Sequence, residues 1–295
     1  MRILVTGAAG YIGSALVRAL LPKGEVLAVD QAAPAAGTPL IGNLAYPQFA
    51  RSLITPEVGV VFHLASLVSG GAEQNFELGT KVNLDATRDL LEACRLAGHR
   101  PKFVFASSIA VYGGALPDPV TDETPAAPRL SYGAQKLVCE ILIADYTRRG
   151  FLDGCSLRLP AVIVRPGSAN TAVSGWASAI IREPLAGRDY VCPVRPETRL
   201  ACISLRRVVE AFQRATSVSG TFLLPGISVS AGQMWNAVKD RAKGKVTFAP
   251  DERLQAIMDA APKTTVSNRG FKGSASIEEI VAEYEEEVAS VANHG

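Results

Sequence analysis

Cysteine is scarce in this 295-residue chain: Cys94, Cys139, Cys155, Cys192 and Cys202 are an odd set with no CxxC or zinc-ribbon spacing, so neither a fully paired disulfide framework nor a cysteine metal site is expected. Charge of one sign is equally lacking. The formal net charge is +2, and no run of Lys and Arg builds a patch for nucleic acid or a membrane surface. No 18-residue apolar span occurs, and the first residues lack the basic and long apolar regions of a signal peptide, so a soluble cytoplasmic protein is expected. HExxH, GxSxG and GxxxxGK[ST] are absent too, which leaves metalloprotease, serine-hydrolase and P-loop readings without their central residues. Of the three histidines, His63 sits at a strand end and reads as structural rather than catalytic, whereas His99 and His294 read as isolated, solvent-facing side chains.

What is present is the composition of a folded α/β protein: 48% apolar residues, with 26 Gly and 18 Pro scattered along the chain. RILVT (2–6), EVLAVD (25–30), GVVFHLA (59–65), KFVFAS (102–107) and GCSLRL (154–159) read as strands. YIGSALVRALL (11–21), a stretch of about 20 residues ending near Gly98, and 131–149 read as helices. Strand–helix alternation predicts a doubly wound parallel sheet. LACIS (200–204) is expected to rejoin that sheet. Between Asp30 and Leu40 lie only QAAPAAGTP, too short and proline-rich for a crossover helix, so a bare loop is expected to reach the third strand. Beyond Pro166 the pattern loosens into a helix near 175–187, short elements and a charged helix over 276–291, whose EEE at 285–287 reads as a solvated face. The expected division is residues 1–165 plus about 200–216 as one domain, with 166–199 plus 217–295 as a smaller α+β lobe.

TGAAGYIG (6–13) places Gly7, Gly10 and Gly13 between the first strand and first helix, where glycines permit a tight turn and a pyrophosphate can approach the helix N-terminus. Asp30 ends the second strand, where a carboxylate can accept from both ribose hydroxyls and repel a 2′-phosphate; a plain turn residue is the alternative. Together these favour NAD over NADP. In SYGAQK (131–136), Tyr132 and Lys136 are four apart, so a helix puts phenol and ammonium on one side.

The TGxxGxxG spacing, HLAS (63–66), VNLDAT (82–87), SSIAVYG (107–113), SYGAQK and LRLPAVIVRPG (157–167) occur in the family's order, and on them the chain resembles the extended short-chain dehydrogenase/reductase family over about its first 215 residues. The resemblance implies a Rossmann sheet with a smaller C-terminal α+β substrate lobe. It implies Ser108, Tyr132 and Lys136 as the catalytic set, Ser108 bonding the reacting oxygen and Tyr132 and Lys136 serving as the acid–base pair. An unperturbed phenol ionises near ~10, so favouring its phenolate at neutral pH by roughly 3 pH units requires about 4 kcal/mol of differential stabilisation, the task of the lysine. For NAD the resemblance implies Gly7, Gly10, Tyr11, Ile12 and Gly13 at the glycine loop and Asp30 at the ribose. Asn43 and Leu44 follow near the adenine, then Leu64, Ala65, Ser66 and Asn83, Tyr132 and Lys136, and the backbone of Pro160 to Val162. Asn43 stands where the family commonly has aspartate, and its amide oxygen can still accept.

Longer segments such as HLASLVSGGAEQNFELGTKVNLDATRDLLEA and SGWASAIIREPLAG resemble a branch of the family that oxidises the C2 hydroxyl of a four-carbon sugar acid with NAD. A hydroxy acid needs cations or several donors for its carboxylate, and Ser69, Ser108, Tyr132, Asn170, Ser174 and Arg199 are the substrate-binding candidates. A surface role for Arg199 is the alternative, and Arg158 and Arg165 read as structural or ion-paired. The expected partner is a small hydroxy acid; no metal, nucleic acid or membrane is expected, and a homodimer through main-domain helices is usual in the family. Rival readings are a nucleotide-sugar epimerase or dehydratase, a dehydrogenase of another aldonate or uronate, and a redox-sensing binding protein. SSIAVYG lacks the acidic pair of resembling dehydratases, and non-catalytic sensors typically lose the Tyr or Lys.

Overall fold

The β-branched run RILVT becomes β1 (Arg2–Thr6), buried from Ile3 onward, and the first glycine of TGAAG ends it. A computed structural model describes residues 1–167 and 171–292, with side chains described to 290. After β1 come α1 (Tyr11–Leu20), β2 (Glu25–Asp30), β3 (Thr38–Ile41), α2 (Pro47–Ser52) and β4 (Val58–His63). α3 (Ser69–Gln74) and α4 (Phe76–Gly79) follow, then a π-helical turn over Thr80–Asp85 that runs into α5 (Ala86–Ala97). β5 (Lys102–Ser108), α6 (Ser131–Arg148) and β6 (Asp153–Leu159) complete the series.

β1 to β6 pair in parallel in the order 3-2-1-4-5-6, with the strand Gly220–Leu223 beside β6 as the seventh. This is the doubly wound dinucleotide-binding order, in which the winding reverses between β1 and β4. Alternate side chains of the strands serve two layers. Leu4, Val29, Val61, Phe103 and Phe105 join Leu53, Leu90, Cys94, Cys139 and Ile143 in one apolar cluster, supplied by α2, α5 and α6. Phe62 meets Phe212 edge to face at 6.2 Å, and Gln213 donates to the Ala19 carbonyl at the end of α1. The link from β2 to β3 is the bare stretch 31–37, as the proline-rich sequence predicts.

By contact the chain separates into two units. The first holds Met1–Val111, Pro128–Leu159 and Val209–Phe222; the second holds Tyr112–Ala127, Pro160–Val208 and the residues from Leu223 on. In the second, Arg199–Ile203 is the middle of a three-stranded sheet, antiparallel to Ile227–Ser230 and parallel to Ala161–Val162. The LACIS segment therefore does not rejoin the main sheet. A five-residue apolar strand carries no mark of its partner, and Gly220–Leu223 takes the place beside β6. Trp176, Ile180, Val194, Leu200, Val229, Met234 and Val281 form the second unit's own core. The EEE run lies on a solvated face, as expected, where Glu285 pairs with Arg241 and Glu286 with Arg206, both at 2.8 Å. Among the described residues no helix is long and apolar enough to cross a membrane, and no three His, Cys, Asp or Glu are grouped to hold a metal ion.

Candidate active site

The glycine loop lies where the sheet reverses its winding. Gly7 has φ +73°, and a Cβ there would stand 2.7 Å from the amide nitrogen of Ala65 just after β4; one on Gly13 would stand 2.0 Å from the Gly7 carbonyl oxygen. Only hydrogen fits at either position, so loop, helix and the β4 exit are drawn together. Gly10 immediately precedes α1, and no side chain caps the helix, which leaves its N-terminus suited to an anion. Tyr11 and Ile12 are half-buried in its first turn. Asp30 accepts from Ala9 N–H at 3.0 Å through Oδ2 and from Gln31 N–H at 2.7 Å through Oδ1, tying the end of β2 to the glycine loop. It thus closes a turn, and it does so beside the loop. Asn43 Oδ1 accepts from Ala45 N–H at 2.8 Å, and Leu44 is buried in the apolar cluster. The backbone amide of Leu64 donates to Thr6, and half-buried Ala65 and Ser66 follow. These residues fit a dinucleotide: a cradle only glycine permits, an uncapped helix terminus and a carboxylate at the second strand's end.

A buried hydrogen-bonded chain joins this loop to the π-helical turn. His63 Nδ1 lies 2.7 Å from Thr6 Oγ1 and Nε2 lies 2.9 Å from Thr87 Oγ1, while Thr87 itself donates to the Asn83 carbonyl at 2.8 Å. Because the Thr87 proton goes to the Asn83 carbonyl, Nε2 carries hydrogen, and in the neutral ring Nδ1 then accepts from Thr6 Oγ1. Burial, then the nearby Lys136 charge, lowers its pKa to about 3. His63 is structural, as its place in HLAS implies. Asn83 Oδ1 accepts from Leu67 N–H (2.7 Å) and Ser66 Oγ (3.0 Å), and Nδ2 donates to the Leu67 carbonyl (3.0 Å) and Gln135 Oε1 (2.7 Å). It is a buried bracket between the β4 exit and α6. His99 differs from expectation: it is half-buried, with Nε2 2.8 Å from the Val58 carbonyl.

α6 begins at Ser131, putting half-buried Tyr132 in its first turn and Lys136 one turn further on, 1% exposed. The Lys136 ammonium lies 4.6 Å from the Phe105 ring centre and 5.5 Å from that of Tyr132. Burial lowers its pKa to about 8, opposed by Cys139 and Glu140. Gly133, which no motif spacing singles out, is what lets α6 start so close to the turn that follows β5: a Cβ there would stand 2.0 Å from the Ala110 carbonyl oxygen. The only signal for it was its place between the tyrosine and lysine. Ser108 accepts from Ala110 N–H at 3.1 Å. Its neighbour Ser107 donates to Glu140, whose carboxylate pairs with Arg158 at 2.7 Å. Arg158 is ion-paired, as expected, and the triad of Ser107, Glu140 and Arg158 locks β5, α6 and β6 together.

The remaining sequence candidates are distributed between the units. Ser69, buried at the start of α3, belongs to the first. In the second, Pro160 precedes the short strand holding Val162, Ser174 is half-buried just before the helix Trp176–Leu185, and exposed Arg199 opens its strand with Nη1 3.4 Å from Ser228 Oγ. The Arg165 carbonyl accepts from Arg182 at 2.8 Å. Asn170 and His294 lie outside the described residues.

A 3-2-1-4-5-6 sheet with a glycine cradle at its winding reversal, and a tyrosine one helical turn before a buried lysine, defines a dinucleotide-dependent enzyme of the Rossmann class. The chain belongs to the NAD dependent epimerase/dehydratase family, whose model matches residues 3–199. It is similar to D-erythronate dehydrogenase of Cupriavidus necator, 41% identical across 97% of this chain and 98% of the relative. It is also similar to D-erythronate dehydrogenase of Haemophilus influenzae, 37% identical across 96% and 98%. Among solved structures, one described as the nucleoside-diphosphate-sugar epimerase from Agrobacterium tumefaciens superposes with a TM-score of 0.90 at 35% identity, covering 98% of this chain and 95% of that one.

Proposed function

We propose that the protein oxidises the C2 hydroxyl of D-erythronate to 2-dehydro-D-erythronate with NAD. The observation that carries this reading is the near full-length similarity to two relatives of that name, in a chain that keeps Ser108, Tyr132 and Lys136. In this reading the first unit holds the dinucleotide: Gly7, Gly10, Tyr11, Ile12 and Gly13 at the pyrophosphate, Asp30 at the ribose, Asn43 and Leu44 at the adenine. Leu64, Ala65, Ser66, Asn83, Tyr132 and Lys136 serve the rest from this unit, and the backbone of Pro160 to Val162, in the second unit, is the further cofactor-binding candidate. Bound NAD supplies the hydride acceptor. The Tyr132 phenolate takes the hydroxyl proton, Ser108 bonds the same oxygen, and the Lys136 ammonium favours the phenolate over the phenol. Ser69, Asn170, Ser174 and Arg199 are the carboxylate-binding candidates. The second unit serves the substrate. A homodimer through first-unit helices fits the exposed Phe76 and Leu78 of α4 and Val138 and Ile141 of α6. Five free, buried thiols fit a reducing compartment, the cytoplasm.

The test follows reduced nicotinamide by absorbance while the protein is offered NAD with four- to six-carbon aldonates and uronates. Net reduction is expected with D-erythronate; no reduction with any acid overturns the reading. The likeness to a nucleotide-sugar epimerase favours a second reading, which conversion of a nucleotide sugar without net reduction would support. Tyr132→Phe should lower kcat by about 10³-fold. NAD binding by calorimetry should change little, and turnover that survives the substitution would show that another group is the base.

A further inference from the structure

We propose that Phe105 is a positioning residue whose ring face keeps the buried Lys136 ammonium charged. The role rests on the reading of Lys136 as partner to the Tyr132 base, although the charge itself can be measured without substrate. Lys136 is among the largest fully buried side chains of the protein, and an ammonium out of water requires a compensating group.

Among the described residues, the acidic groups that favour the charge are Cys139 and Glu140, and together they offset only part of what burial removes. Glu140, one turn along α6, has Oε1 bonded to Ser107 and to Arg158 Nε (3.0 Å), and Oε2 bonded to Arg158 Nη2 (2.7 Å), so its charge is matched by an arginine. Cys139 is held as a thiol, its pKa pushed up to about 11 by burial. His63 on β4 is neutral, and Asn83 and Thr87, from the turn and helix packed against α6, carry no charge. Tyr132 presents its ring at 5.5 Å.

Phe105 is nearer. Its ring centre is 4.6 Å from the ammonium, within cation–π range, and the ring is 1% exposed, where such an attraction is strongest. The ring is also held: His63, its register partner on β4, stacks on it with centres 5.8 Å apart at 29°. Phe103, two residues earlier on the same strand and equally buried, lies tilted 6.0 Å from His63, and no cation–π contact of it with Lys136 occurs among the described residues.

The test is NMR titration of the full chain carrying isotopically labelled lysine, with the Lys136 signal assigned by its loss in Lys136→Met. The wild-type midpoint is expected at about 8. Phe105→Leu should lower it by about one pH unit, and pentafluorophenylalanine at position 105, the same shape with the ring charge inverted, should lower it at least as far. Phe105→Tyr should restore the wild-type midpoint, and Phe103→Leu should leave it in place while costing stability. A midpoint unmoved by both the leucine and the fluorinated ring overturns the proposal, as does an equal shift in Phe103→Leu. In the pH profile of kcat/KM, the rising limb of Phe105→Leu should move to higher pH. If the lysine titration shifts as expected while no hydroxy acid is oxidised, the functional reading fails and the role of Phe105 in holding the charge stands.

Discussion

Helices α1 and α6 each lay one face on the same sheet, and the faces are chemical opposites. α1 buries Gly13, Leu16, Val17 and Leu20, an apolar stripe at helical spacing. α6 buries Gly133, Gln135, Lys136, Cys139, Glu140 and Ile143 with the same geometry, but three of the six are an amide, an ammonium and a carboxylate. Each polar group on that face has an arranged counterpart: Asn83 for Gln135, Arg158 and Ser107 for Glu140, aromatic rings for Lys136. One donor, Gln135 Nε2, has no partner among the described residues. α1 is a helix whose packing serves the fold. α6 is one whose packing holds polar and charged groups, and a face of that kind is a more specific pointer to a candidate site than any four-residue spacing.

The comparison breaks most sharply at Glu140. Glu140→Ala should destabilise the protein by about 4 kcal/mol, because it leaves the Arg158 charge buried without its partner. Leu16→Ala, the corresponding deletion in α1, should cost about 3 kcal/mol through lost transfer and a cavity. Urea unfolding measures both. If Glu140→Ala costs under half of Leu16→Ala, the polar face is not a structural bracket.

Lys136 sharpens the contrast through pH. Its folded pKa, about 8, lies below the ordinary value of 10.5, so between these values the unfolded chain binds the extra proton. Stability from this group therefore rises as pH climbs from about 8 to 10.5 and is lowest below 8. Lys136→Met should accordingly be more stable than wild type by about 3 kcal/mol at pH 7. The gain should vanish by pH 10.5. Taking the difference between the two proteins cancels the buried thiols other than Cys139, whose pKa the Lys136 charge itself lowers. A constant difference across that range would mean that the lysine is not buried as an ammonium. The same substitution should abolish turnover, the usual opposition between stability and a strained functional group.

Much of this arrangement was legible in the sequence, for identifiable reasons. Apolar runs bounded by glycine or proline placed β1, α1, β2, β5, α6 and β6 within about one residue, and the length of QAAPAAGTP alone required a helix-free link to β3. The placement of Tyr132 and Lys136 one helical turn apart, and of the glycine loop between β1 and α1, was legible because spacing on a helix and glycine at a tight turn fix geometry. Pairing partners were not: Arg199–Ile203 finds Ile227–Ser230 across more than twenty residues, and nothing in LACIS encodes that choice. Nor was the space around Gly133, or the way Glu140 and Arg158 answer one another, since period and propensity describe one element at a time. Apolar periodicity reads α1 correctly and is silent on what α6 buries.

Asp30 gives the smallest expected effect and divides two roles that the sequence left superposed. Its carboxylate accepts from Ala9 and Gln31, which an amide oxygen can do nearly as well, while only its charge can repel a 2′-phosphate. Asp30→Asn should therefore keep the glycine loop in place and reduce the preference for NAD over NADP by about tenfold, near 1.4 kcal/mol. Asp30→Ala loses the backbone acceptor as well and should weaken both dinucleotides. Ratios of kcat/KM for the two cofactors, with binding measured separately, distinguish the outcomes. Were the ratio unchanged in both variants, Asp30 would be a turn residue that happens to border the loop, and cofactor choice would have to come from elsewhere in the first unit.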